Sequence, residues 1–124
     1  MVLHGRTRID AMYRELRSVT TPTLIIENKL LYRERGDTPL PPGYSMHESG
    51  GHFPATLLKA PAKADLTLVA FGRMSAVAER VAARLAAEEE VLAELIFPSQ
   101  VSPLDSQSIV ASAMQTGRVM VVEA

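Results

Sequence analysis

A chain of 124 residues with 47% hydrophobic and 22% charged side chains can bury one modest core, and its net charge of −1 gives no global attraction to nucleic acid or to acidic lipid. No apolar run approaches the roughly 20 residues that span a bilayer, and the opening Met-Val-Leu-His-Gly-Arg lacks the apolar centre of a signal peptide. The absence of cysteine excludes a disulfide framework, a thiolate metal site and a cysteine nucleophile, and a cytoplasmic location is expected.

Residues 7–18 carry Ile9, Met12, Tyr13 and Leu16 at helical spacing, with Arg8, Arg14, Glu15 and Arg17 largely elsewhere, which predicts an amphipathic helix. Seven of the thirteen Lys and Arg residues precede residue 36, but Tyr13 lies on the apolar stripe rather than among them as a base-stacking platform, so they read as a solvated face. Pro22 bars continuation of the helix. Thr23 to Ile26 then reads as a strand that delivers Glu27, Asn28 and Lys29 at its carboxyl end, where open α/β sheets keep their clefts. A lone strand with one helix cannot bury both faces, so residues 1–31 are expected to be a helix–strand remnant of a larger unit.

Between residues 32 and 64 the composition changes to Pro39, Pro41, Pro42, Pro54 and Pro61 among Gly36, Gly43, Gly50 and Gly51. Such a segment reads as a crossover between units, with a short strand pairing around Ala55 to Leu58. From Asp65 the pattern is regular. Leu66 to Phe71 is a near-continuous apolar strand, and Gly72 makes the turn. Met74, Val77, Val81 and Leu85 mark a buried helical stripe with Ala78 and Ala82 beside it. Val91 to Phe97 is a second strand, broken only by Glu94, which is expected at a sheet edge or paired. Asp105 is a candidate N-cap of a helix with Ile109, Val110, Ala113 and Met114 inward and Gly117 as its C′ residue. Arg118 to Glu123 is a third strand. This β-α-β-α-β order over 65–124 predicts a three-layer α/β/α fold with a mostly parallel, incomplete sheet.

Candidate chemistry is sparse. His47, Glu48 and His52 share a Gly-rich loop, but a metal site needs more ligands on firmer elements, so no metal ligand is assigned. No G-x-S-x-G elbow, G-x-G-x-x-G turn or P-loop is present. The Gly72 turn offers amides to an anion, as every such turn does, and no cofactor contact is assigned to it. Glu27 reads as an interface or structural pairing partner of Lys29 or Arg33. Glu27, Lys29, Tyr32 and Arg33 together form the candidate subunit interface, and no catalytic residue is assigned.

The run Pro22-Thr-Leu-Ile-Ile-Glu-Asn-Lys-Leu-Leu-Tyr-Arg33 resembles the last strand of the pyrimidine-binding domain in β subunits of thiamine-diphosphate-dependent 2-oxo acid dehydrogenases. Ala64-Asp-Leu-Thr-Leu-Val-Ala-Phe-Gly72 is similar to the opening strand of that family's transketolase-like C-terminal domain. Ser102-Pro-Leu-Asp-Ser-Gln-Ser-Ile109 resembles its next helix start, and Gly117-Arg-Val-Met-Val-Val-Glu123 the strand after it. Phe97-Pro-Ser-Gln-Val departs from the Asp-Leu-Arg-like stretch of relatives. The resemblance implies a fragment or truncated relative of a larger subunit whose thiamine-activating glutamate and active-site histidine lie upstream of the matched part. It implies thiamine diphosphate and Mg²⁺ in the parent enzyme, none held by this chain alone, with an α subunit and a lipoyl acyltransferase core as partners. Two alternatives stay open: a non-catalytic interaction module of the same fold, and the C-terminal part of a transketolase or deoxyxylulose-phosphate synthase. Exposed edges are expected to drive homo-oligomerisation through residues 1–31. Neither nucleic acid nor membrane is an expected partner.

Overall fold

The computed structural model describes residues 1–35 and 37–124. Five strands form one sheet: β1 (Ser45–Glu48), β2 (Thr56–Lys59), β3 (Leu66–Ala70), β4 (Ala93–Phe97) and β5 (Val119–Val122), in the order β1-β2-β4-β3-β5. β4 and β5 each run parallel to β3, whereas β1–β2 and β2–β4 are antiparallel. The sheet is thus mixed, and the three strands expected over 65–124 are its parallel part. The Pro/Gly-rich segment contributes both antiparallel strands, of which the one around Ala55 to Leu58 was expected and β1 was not. Its four exposed residues, Ser45-Met-His-Glu48, show no buried alternation by which a strand could be recognised.

Helix α2 (Met74–Glu88) covers one face of the sheet and α3 (Gln107–Thr116) the other. Because side chains alternate along a strand, Leu68 and Ala70 of β3 and Ala93, Leu95 and Phe97 of β4 meet Ala78 and Ala82 of α2. Val69 and Ile96 point the other way, toward Ile109 of α3. Small residues line the inner face of α2. Ser75, Ala78 and Ala82 are buried there, while Val81, expected inside, is exposed. A close helix–sheet approach needs small side chains at the contact, which shifts the buried stripe by one position. Tyr44 closes this core from the connecting segment, donating its buried hydroxyl to the Ala93 carbonyl at 2.7 Å.

Gly72 turns β3 into α2 at φ +55°, and a Cβ there would sit 3.2 Å from Val2 Cγ1, so both backbone and space call for glycine. Gly117 ends α3 at φ +69° and returns its amide to Ala113 at 2.8 Å, as the sequence predicts. Asp105 accepts from the Gln107 amide at 3.3 Å, although the N-cap position itself falls on Ser106.

The N-terminal segment differs most from expectation. Helix α1 (Ile9–Leu16) forms with Met12 buried, but Thr23 to Ile26 is not a strand. It makes a single parallel bridge, Val2 to Ile26, and Lys29–Arg33 is a 3₁₀ turn whose Leu30 amide is capped by Asn28 Oδ1 at 3.0 Å. Only the short Met1–Leu3 stretch runs beside Ile26, and one neighbour of three residues cannot support a ladder. Residues 1–31 nevertheless pack on their own chain. Arg6 pairs with Glu79 of α2 at 2.6 Å and donates to the carbonyls of Thr38 and Pro39.

Candidate interaction surface and polar clefts

The residues singled out as an interface, Glu27, Lys29, Tyr32 and Arg33, are all exposed and lie together on the 3₁₀ turn and its approach. Glu27 pairs with neither Lys29 nor Arg33; it accepts a hydrogen bond from the Tyr32 hydroxyl. That bond, with the carboxylate charge behind it, raises the phenol above its ordinary range. Leu24 is 74% exposed and Tyr32 71%, with Ile26 and Leu30 about half exposed beside them, so the segment presents apolar surface rather than covering it. Glu27 and Asn28 line a cleft of about 350 Å³ with Gly72, Arg73 and Val101 at the carboxyl end of β3. The position expected for a polar strand end is thus kept although the strand is not. Arg73 Nε, at the start of α2, is buried without a hydrogen-bond partner among the described residues.

A second apolar surface runs along β5. Val119, Met120 and Val121 are all exposed. The Thr67 amide donates to the Arg118 carbonyl and the Phe71 amide to the Val122 carbonyl, so by parallel alternation the backbones of Val119 and Val121 face away from β3. On α3, Val110 and Met114 (83% exposed) face solvent instead of the sheet. The inward position belongs to Ser112, which the apolar pattern could not reveal because its partners are polar.

His4, Ser99 and Pro54 form a buried chain that sequence reasoning missed. His4 Nδ1 accepts from the Arg6 amide at 3.3 Å, which leaves the proton on Nε2, 3.2 Å from Ser99 Oγ. Ser99 Oγ donates its own hydrogen bond to the Pro54 carbonyl at 2.9 Å. The imidazole therefore donates to the serine and cannot act as its base, so this pair is not a nucleophile–base dyad. The ring packs at 5.7 Å on Phe97, and burial lowers its pKa to about 4. The chain fastens the N-terminus to the end of β4, helped by the Val2 amide on the Ser99 carbonyl at 2.8 Å.

The loop histidines go separate ways: His47 Nε2 meets Ser45 Oγ at 2.9 Å, while His52 pairs with Glu15 of α1. Among the described residues, no three His, Asp or Glu side chains are grouped to hold a metal.

Glu94 lies on β4, the middle strand, not at an edge, and the alternative expectation, pairing, holds. Ser112 Oγ donates to Glu94 Oε2 at 2.6 Å and is itself 2.7 Å from Thr67 Oγ1, which also lies 2.8 Å from Thr116 Oγ1. Lys59 Nζ stands 4.0 Å from Glu94 Oε1. This assembly opens on a cleft of about 520 Å³ between the β1–β2 hairpin and α3.

Among the described residues, the arrangement offers contact surfaces and two polar clefts. Comparison with known proteins agrees with the fold. The family described as "Transketolase, C-terminal domain" matches residues 55–124. The mitochondrial "Pyruvate dehydrogenase E1 component subunit beta-1" of Arabidopsis thaliana is 34% identical over 103 residues, covering 82% of this chain and 27% of that protein. The chain thus spans about a quarter of the length of this relative. A solved structure titled "Split gene transketolase, inactive beta4 tetramer" superposes with a TM-score of 0.47 at 35% identity, over 50% of this chain and 20% of that one. No helix is long and apolar enough to cross a membrane among the described residues. With its open α/β sheet and a match over more than half its length, the chain belongs to the transketolase C-terminal domain family.

Proposed function

We propose that this chain is a scaffold and subunit-contact segment of the β subunit of a thiamine-diphosphate-dependent 2-oxo acid dehydrogenase, or a short relative of one. One observation carries this reading. The similarity to the pyruvate dehydrogenase β subunit extends over 103 residues, more than residues 55–124 contain, so it reaches upstream of the family domain. A generic C-terminal domain would not account for that reach.

In this reading the parent enzyme decarboxylates a 2-oxo acid oxidatively and passes the acyl group to lipoyl groups. Thiamine diphosphate supplies the carbanion chemistry when bound. Among the described residues no three His, Asp or Glu side chains are grouped to hold that cofactor's metal, and this reading gives the chain no step of its own. Its part is contact. The Leu24–Tyr32 surface with Glu27, Lys29 and Arg33, and the β5 edge, are the surfaces an α subunit, an acyltransferase core or a second copy would cover. A cytoplasmic location belongs to the same proposal.

Size-exclusion chromatography with and without the α subunit of a pyruvate dehydrogenase tests the reading. Co-elution is expected, together with no turnover of pyruvate by the isolated chain supplied with thiamine diphosphate and Mg²⁺. A monodisperse monomer that ignores the α subunit, or decarboxylation by the chain alone, would overturn it.

A further inference from the structure

Among the described residues, one oxygen of the Glu94 carboxylate accepts a hydrogen bond and the other has only the Lys59 ion pair. Glu94 sits on the central strand and is 8% exposed, where a carboxylate is costly unless donors surround it. Ser112 Oγ fills Oε2, but the nearest cation to Oε1, Lys59 Nζ, stands at 4.0 Å, beyond hydrogen-bonding distance. The Ser112 hydroxyl and Thr67 behind it fix the orientation of the carboxylate, so the unfilled oxygen is held in place rather than free to turn away. Pairing with Ser112 alone would be served as well by a neutral amide. Inside the chain the charge is balanced by the Lys59 ammonium at ion-pairing distance, and Oε1 faces the cleft without accepting a hydrogen bond from a described residue.

We propose that the cleft between the β1–β2 hairpin and α3 binds a small zwitterion of the α-amino acid class, with its ammonium on Glu94 and its carboxylate on Lys59. The Glu94 carboxylate, held by Ser112, and the half-exposed Lys59 ammonium stand 4.0 Å apart. An α-amino acid carries its own opposite charges on groups joined through one carbon, so it can lie antiparallel to this pair and give each protein charge a charge-assisted hydrogen bond. A simple cation or anion of the same size would be drawn to one member of the pair and repelled by the other. Lys59 is 53% exposed and so within reach of an incoming ligand. The walls suit a polar side chain: Ser49, Gln107 and Gln115 supply neutral donors and acceptors, Leu57 and Ala111 an apolar strip, and Asp105 a second carboxylate that already accepts from the Gln107 amide. Past Lys59 the groove continues for about 130 Å³ beside Lys63.

The test is ¹⁵N–¹H NMR of the full chain titrated separately with each of the common L-amino acids, including glycine. At least one should give saturable shifts of the Lys59, Glu94 and Ser112 amides. Its N-acetyl and carboxamide derivatives, each lacking one charge, should bind roughly tenfold more weakly or worse. Glu94→Gln preserves shape and the Ser112 bond, and Lys59→Met alters a half-exposed side chain; each should weaken binding roughly ten- to hundredfold with the fold retained. Should Glu94→Gln fail to fold, Lys59→Met and the two derivatives decide the matter. The proposal is overturned if no amino acid gives saturable shifts at tens of millimolar, or if the N-acetyl derivative binds as tightly as its parent.

Discussion

Arg6 and Glu79 form the main polar tie between the N-terminal segment and the sheet domain. Arg6 Nη2 lies 2.6 Å from Glu79 Oε2, and Nε lies 3.0 Å from Oε1, a two-point guanidinium–carboxylate contact with both side chains largely buried. Two further Arg6 protons reach the Thr38 and Pro39 carbonyls, so this one side chain joins three stretches of the chain. The hydrogen bond to Glu79, more than the charge attraction alone, raises the guanidinium pKa further, so Arg6 keeps its charge.

Removing one partner should strand the other without donors. Arg6→Ala is expected to cost about 3 kcal/mol in urea unfolding, since a broken buried pair leaves an uncompensated charge. Replacement of both residues by apolar ones of similar volume should recover most of that loss. A cost for Arg6→Ala within about 0.5 kcal/mol, the level of a surface change, would show that the segment is not held this way.

His4 makes stability depend on acid pH. Burial lowers its folded pKa from 6.5 to about 4, so below 6.5 the unfolded chain binds the extra proton first. The His4 contribution is therefore complete above pH 6.5 and lost as the pH falls toward 4, with a total on the order of 3 kcal/mol. Unfolding free energies measured across that window should fall steadily for the native protein and more shallowly for His4→Gln. Equal slopes for the two would exclude His4 as the cause.

Ser112→Ala should leave Glu94 Oε2 without its donor and destabilise the fold by roughly 1–3 kcal/mol. Combined with Glu94→Leu, the loss should be smaller than the sum of the two single changes, by about 0.5 kcal/mol or more. Strict additivity in that double-mutant cycle would mean the two residues are not energetically coupled.

On β5, Val121→Lys places a charge on an exposed edge strand, a common block to strand-to-strand association. The expected result is a shift to a smaller species in light scattering, or loss of co-elution with the α subunit. The unfolding midpoint should move little, because Val121 contributes slight burial to the core. Unchanged association would direct attention to the Leu24–Tyr32 surface instead.

The parts of the fold legible from sequence are those whose side chains alternate or repeat against a single neighbour. Leu66 to Phe71 and the Gly117 cap needed no knowledge of distant contacts, because an apolar run and a glycine carry their own local rules. β1 was invisible for the opposite reason, as its four exposed residues owe their strand geometry to β2. Thr23 to Ile26 misled in the other direction, because β-forming residues make a strand only where a partner supplies the ladder. The polar sites were harder still. Nothing near Ser112 or Ser99 distinguishes them from surface serines, and both became structural only when Glu94 and His4, distant in the chain, were folded against them.

Sequence alone therefore determined the α/β class and the order of elements from Asp65 onward, which rest on local periodicity, and pointed to the family through the resemblance of its motifs. Tertiary structure alone decided that Glu94 is central rather than at an edge, that His4 donates to Ser99, and that Arg6 anchors the first residues to α2. Those outcomes depend on which polar groups meet when water is expelled. The cost of leaving a buried donor or acceptor unpaired is settled between residues far apart in the chain, so no local pattern records it.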